Sequence, residues 1–156
     1  MREVHTIAPV YDANSKILIL GSFPSVKSRE TEFFYGHPQN RFWRVIAAVC
    51  KCDVPGTIEE KKKMLLENHI ALWDVIESCD IEGSSDSSIR NVKANDFSRI
   101  FAAADIERVF ANGGTAYNLY RKYTGDDIER LPSTSPANAA WNMKRLVDAW
   151  QVILNN

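Results

Sequence analysis

The sequence lacks, first, a charge of one sign: 19 Lys and Arg stand against 20 Asp and Glu, a formal net charge of −1 with histidine neutral. That balance excludes a polycationic surface, so contact with nucleic acid would need a local patch and not the field of the whole molecule. Lys27, Arg29, Arg41, Arg44, Lys144 and Arg145 are the candidates for it. Cysteine is also scarce. Cys50, Cys52 and Cys79 make an odd three, and Cys50-Lys51-Cys52 lacks the two-residue gap and second pair of a zinc or iron–sulfur site, so no metal or cofactor is expected. Apolar runs are short and interrupted by charges, which excludes a membrane span, and Met1-Arg2-Glu3-Val4-His5 has no apolar secretory core. An intracellular, cytoplasmic protein without a membrane partner is expected. No repeat, linker or low-complexity stretch divides the 156 residues, which at 45% hydrophobic content suffice for one domain, 1–156, and not for two.

What is present is an alternation of buried-looking runs and helical patterns. Ile17-Leu18-Ile19-Leu20 before Gly21 reads as a parallel strand covered on both faces, over about 16–21. Residues 70–75, 106–111 and 128–131 read as three more strands. Helical spacing predicts helices over 40–49, 58–68 and 115–123, one through Phe97, Ile100 and Phe101 behind an Asn95-Asp96 cap, and a last one over 141–154. In that last helix Leu146, Val147, Trp150, Ile153 and Leu154 keep core spacing. Residues 1–14 form a lead-in segment with no assigned chemistry, and 77–88, rich in Ser, Asp and Gly, a polar loop. The alternation implies an α/β fold of three layers, α/β/α, around a four-stranded parallel sheet. Ligands collect beyond the carboxyl ends of such strands, so the loops after Leu20, Val75, Ala111 and Leu131 should gather on one edge.

Two loops on that edge are unusual. Gly21-Ser22-Phe23-Pro24-Ser25 offers a Gly for close backbone approach and a Pro of fixed φ, a candidate pocket floor. Phe33-Phe34-Tyr35 then puts three adjacent aromatics in a loop, either covering the sheet or forming a stacking wall for a flat ligand. Asn40 stands where a helix N-cap is favoured, or where a polar contact to a ligand is wanted. The amides of Gly113 and Gly114 could meet a phosphate at a helix start, or the glycines could serve only tight packing.

The run Tyr35-Gly36-His37-Pro38-Gln39-Asn40-Arg41-Phe42-Trp43 resembles the HP-x-N-R-F-W segment of mismatch-specific uracil-DNA glycosylases. In that superfamily the loop after the first strand usually carries Asp or Asn directly before its Pro; Phe23 stands there in this chain. The pairing of GSFPS with YGHP-x-NRFW is instead similar to the hypoxanthine-DNA glycosylase (DNA-deoxyinosine glycosylase) branch, where the catalytic role moves to the residue matching Asn40. Leu131-Pro132-Ser133-Thr134-Ser135-Pro136-Ala137-Asn138 resembles the superfamily's Pro/Ser loop, which enters the minor groove beside the flipped nucleotide. The four-cysteine cluster of some superfamily members has no counterpart here.

The resemblance implies the uracil-DNA glycosylase-like fold and hydrolysis of the N-glycosidic bond of a deaminated base, most of all hypoxanthine, after the nucleotide is rotated out of the duplex. It implies Asn40 as catalytic residue, its carbonyl orienting a water while its NH2 binds another group. Gly21, Ser22, Phe23, Pro24, Phe34 and His37 would form the base pocket. Ser133, Ser135, Pro136, Ala137, Asn138, Gly113 and Gly114 would meet DNA. The expected partner is double-stranded DNA containing a deaminated base, bound by a monomer and, in a bacterium, with the nucleoid. A G/U mismatch-specific uracil glycosylase and a non-catalytic binding protein of the same fold are the alternatives.

Overall fold

Continuous apolar runs make strands that must be covered on both faces. In the computed structural model, which describes residues 1–154, every residue of β2 (Ile17–Gly21) and β3 (Ile70–Asp74) is buried. The two lie parallel, Ile17 opposite Ile70 and Gly21 opposite Asp74. On its other edge β2 pairs in parallel with β6 (Arg108–Asn112), and β7 (Glu129–Leu131) completes a sheet of order β3-β2-β6-β7. The four parallel strands expected from the sequence are therefore present.

Helices connect and cover them. α2 (Phe42–Cys50) buries Phe42, Trp43, Val45, Ile46, Ala47 and Val49, and α6 (Met143–Trp150), capped by Asn142, buries Leu146 and Trp150 against the same core. α3 (Ile58–Glu67) opens on a capping box, Thr57 Oγ1 accepting from Glu60 N–H at 3.1 Å while Glu60 Oε1 accepts from Thr57 N–H at 3.1 Å. α4 (Ser98–Ala103) and α5 (Gly114–Thr124) complete the layers. Among the described residues no helix is long and apolar enough to cross a membrane.

Three features depart from the sequence reading. The lead-in residues carry β1 (Arg2–Val4), and the stretch expected as a polar loop begins with β4 (Ile76–Asp80); with β5 (Arg90–Ala94) they form an antiparallel sheet of order β1-β4-β5. Glu77 and Asp80 hide β4 from a hydrophobicity reading. It is held by backbone pairing with β1 and β5, and by Ile76 and Cys79 packed with Phe23 and Ile81. A short helix α1 (Val26–Thr31), capped by Ser25, follows the first loop. The last helix stops at Trp150 and tightens into a 3-10 turn, Gln151–Leu154, which leaves Leu154 46% exposed instead of in the core.

Candidate active site

Gly21 ends β2 directly beside Asp74, the last residue of β3. A Cβ at Gly21 would collide with Asp74 Oδ1 and lie 2.8 Å from Tyr35 Oη, so only glycine lets both polar groups reach this point. Tyr35 arrives through a left-handed backbone, φ 52°, with its ring stacked on Phe42 at 4.1 Å. Its hydroxyl is buried, and burial, reinforced by the nearby Asp74 charge and opposed by the Asn112 amide, pushes its pKa far above the usual phenol value. Asp74 is 4% exposed. Its Oδ2 is 2.8 Å from His5 Nε2, and because His5 Nδ1 accepts from Ile7 N–H at 3.2 Å, the ring proton sits on Nε2 and is donated to the carboxylate. Asp74 Oδ1 makes no hydrogen bond to a described residue, and Asp74 lines the cavity. It offers a buried acceptor, able to take a hydrogen bond from a ligand N–H or a water.

A second polar group faces it from three other segments. Asn40 Oδ1 accepts from Phe42 N–H at 2.9 Å and from Thr134 Oγ1–H at 2.9 Å. Thr134, fully buried, is also paired with Asn112 at the end of β6: its N–H donates to Asn112 Oδ1, and Asn112 Nδ2 donates to its Oγ1, both at 3.0 Å. Arg41 staples the same two loops. Its N–H donates to Thr134 O at 3.1 Å, its Nη2 to Ser135 O at 3.0 Å and Asn138 O at 3.2 Å, and its Nη1 to Trp141 O. Trp150 Nε1 adds a bond to Pro132 O at 3.0 Å. The Pro/Ser loop is thus braced from behind while its front stays open.

Between these groups lies a cavity of about 560 Å³. Gly21, Ser22, Phe23, Pro24, Phe34, His37 and Asn40 line it, as do Ser133, Ser135, Pro136 and Ala137. A second cavity, also about 560 Å³, shares Ser133, Ser135 and Ala137 with the first and adds Gly113, Gly114 and Asn138. Every site residue expected from the sequence therefore lies on one continuous surface beyond the carboxyl edge of the sheet. Of the three loop aromatics, Phe33 and Phe34 are core residues, and Phe34 also walls the cavity; Phe23 packs with Ile76, Cys79 and Ile81 while presenting to it. Gly113 turns at φ 95° and Gly114 lies against the Arg130 guanidinium, 2.7 Å from a Cβ built there to Nη2. Arg130 is exposed and makes no ion pair among the described residues.

Some roles change. Asn138 folds back, Nδ2 donating to Ser133 O at 3.0 Å, so it stiffens the loop. Arg41 is consumed by backbone carbonyls and Arg29 by Glu3 and Gly83 O, which removes both from the basic patch. Sequence reasoning missed His5, Asp74, Asn112, Thr134 and the rim residue Asp86, whose Oδ1 accepts from Ser22 Oγ at 3.2 Å. Asp74 and Asn112 had a usable signal, a polar residue ending a buried strand at the ligand-binding edge; Thr134 stood within the Pro/Ser loop but was given no role of its own, and His5 had no signal.

The profile of the Uracil DNA glycosylase superfamily matches residues 8–154. A protein of Methanosarcina acetivorans named hypoxanthine DNA glycosylase is 34% identical over 151 residues, covering 94% of this chain and 95% of its own. One of the same name from Methanosarcina barkeri is 34% identical over 134 residues, covering 83% and 85%. A solution NMR structure from Methanosarcina acetivorans, of a protein assigned provisionally as a uracil DNA glycosylase, superposes with a TM-score of 0.82 at 34% identity, covering 99% of this chain and 97% of that one.

Proposed function

The chain belongs to the uracil DNA glycosylase superfamily, and from that premise we propose that it hydrolyses the N-glycosidic bond of hypoxanthine in double-stranded DNA. The observation that carries this reading is the convergence of Asn40, Phe23, Phe34 and the buried Asp74 carboxylate on one cavity of about 560 Å³, within the range of small-molecule sites. The names of the two Methanosarcina relatives support the choice of base. Asp74 separates hypoxanthine from adenine. Hypoxanthine presents a ring N–H beside a carbonyl, as guanine and uracil also do, and a carboxylate accepts from it, whereas adenine in the same register turns a lone pair towards it. Rejection of adenine then follows from an unpaired, desolvated acceptor.

The remaining parts fit extraction of a nucleotide from a duplex. Phe23 and Phe34 stack on the extruded base, and Gly21 keeps the floor open. Ser22, Pro24 and His37 complete the wall, His37 with its Nδ1 taken by Gln39 N–H at 3.1 Å. The braced loop Ser133, Ser135, Pro136 and Ala137 enters the groove with little freedom left to lose. Gly113, Gly114 and Arg130 receive a flanking phosphate. The enzyme acts as a monomer on DNA inside the cell.

The test is abasic-site formation on labelled duplexes carrying one hypoxanthine, one uracil opposite guanine, or neither. Hypoxanthine release is the expected result. Release of uracil alone assigns the mismatch activity, and tight duplex binding without release of either base assigns a binding protein.

A further inference from the structure

Two amide flips and one hydroxyl rotor decide what Asn40 offers to the cavity, and the hydrogen-bond network fixes all three. The Thr134 backbone N–H can only donate, and its acceptor is Asn112 Oδ1 at 3.0 Å. That leaves Asn112 Nδ2 facing Thr134 Oγ1 at 3.0 Å, as donor. A hydroxyl that accepts there has its own proton to give, and Asn40 Oδ1 is 2.9 Å away. From the other side Phe42 N–H, again a donor only, reaches the same oxygen at 2.9 Å. Reversing Asn40 would set its NH2 against two donors. Its carbonyl oxygen is thus occupied twice by the protein, while Nδ2 makes no hydrogen bond to a described residue on a side chain that lines the cavity.

We infer that Asn40 acts on the substrate as a hydrogen-bond donor to the departing base, and that Thr134, with Asn112 behind it, is the positioning residue that sets this polarity. The inference rests on the glycosylase reading above and replaces the expectation that the Asn40 carbonyl orients the water. As the bond between C1′ and the base nitrogen breaks, its electron pair leaves with the base. Water oxygen bonds to C1′ and loses a proton to solvent, and the base takes one from solvent. An N–H directed at a ring nitrogen beside the breaking bond meets a charge that grows only in the transition state. No proton passes through Asn40.

Asn40→Asp separates donor from acceptor, because Asp caps a helix as well as Asn and keeps an oxygen for Phe42 N–H and Thr134, but brings no N–H. Single-turnover release of hypoxanthine should fall about 10²–10³-fold, as for Asn40→Ala, with thermal unfolding near wild type. A rate at or above wild type, which an acceptor or base role requires, overturns the inference. Thr134→Val should lower the single-turnover rate while duplex affinity holds, and Thr134→Ser should restore most of that rate. Equal losses of rate and affinity, or no rescue by Ser, overturn the positioning role. Failure of the substrate assignment is seen separately: wild type would then leave the hypoxanthine duplex intact and cut the uracil duplex, on which the same variants decide the donor role.

Discussion

Gly21 is where a single methyl group is felt most. Its absent Cβ leaves room for the Asp74 carboxylate and the Tyr35 hydroxyl, so Gly21→Ala should push Asp74 out of line. We expect overpacking to cost about 1–3 kcal/mol in denaturant unfolding. Base release should fall further than stability explains. Asp86 gives a prediction in pH. Its carboxyl, on an exposed residue at the cavity rim, is held above its ordinary value of 3.8 by desolvation on its cavity side, opposed by the Ser22 and Thr115 hydroxyls and reinforced by Asp74, an effect that solvent screening keeps small. A raised pKa means that the folded protein binds this proton more tightly than the unfolded chain, so Asp86 favours folding at low pH. That contribution is lost as pH rises from 3.8 through the higher folded value. Asp86→Asn should therefore melt higher than wild type at neutral pH, with the advantage vanishing towards pH 3 to 4; a constant difference across the range would remove this account. Asn40 was legible at this scale through the segment around it. The orientation of its amide was not, because it is fixed by Asn112 and by Thr134, a residue 94 positions along the chain.

The Pro/Ser loop is stiff because Arg41 donates to Ser135 O and Asn138 O, and the Ser133 hydroxyl takes Ser135 N–H at 3.1 Å. None of its side chains is a strong acid or base near neutral pH, so in the proposed function it serves to engage DNA and not to cut. Ser135→Ala should weaken activity on duplex substrate more than on single strands, where no helix has to be opened; equal losses on both would count against this. The start of α5 predicts a different signature. Arg130→Ala should weaken duplex binding evenly across sequences and reduce the slope of log K against log salt by about 1, the expectation for one lost phosphate contact. An unchanged slope would make Arg130 a partner of Tyr117 alone, over whose ring it lies at 5.9 Å. Elements with an apolar period, β2, β3, α2 and α6, could be read from sequence to within a few residues. β1, β4 and β5 could not, since an antiparallel sheet open to solvent is specified by backbone pairing between distant segments, Arg2 opposite Asp80, and by a few half-hidden side chains.

At the scale of the whole molecule Trp150 ties the layers together. It is fully buried, meets Phe42 of α2 edge-on at 6.0 Å and donates to Pro132 O at the root of the Pro/Ser loop. Trp150→Ala should cost about 3–5 kcal/mol, the range for emptying a core aromatic site, in equilibrium unfolding. The strand order β3-β2-β6-β7 was only partly legible: alternation implied parallel strands, but which strand lies centrally depends on side-chain fit between segments that sequence periodicity does not compare. The same long reach sets when the enzyme becomes competent during its synthesis. A ribosome adds about 5–20 residues per second, so for roughly 5 to 20 s a growing chain exposes a finished Asn40 segment whose partner Thr134 does not yet exist. Over that interval Asn40 lacks the hydroxyl that completes its orientation and Arg41 lacks the loop it holds, so a translation product abandoned before Thr134 carries the signature segment of a base-excising enzyme without the means to cut.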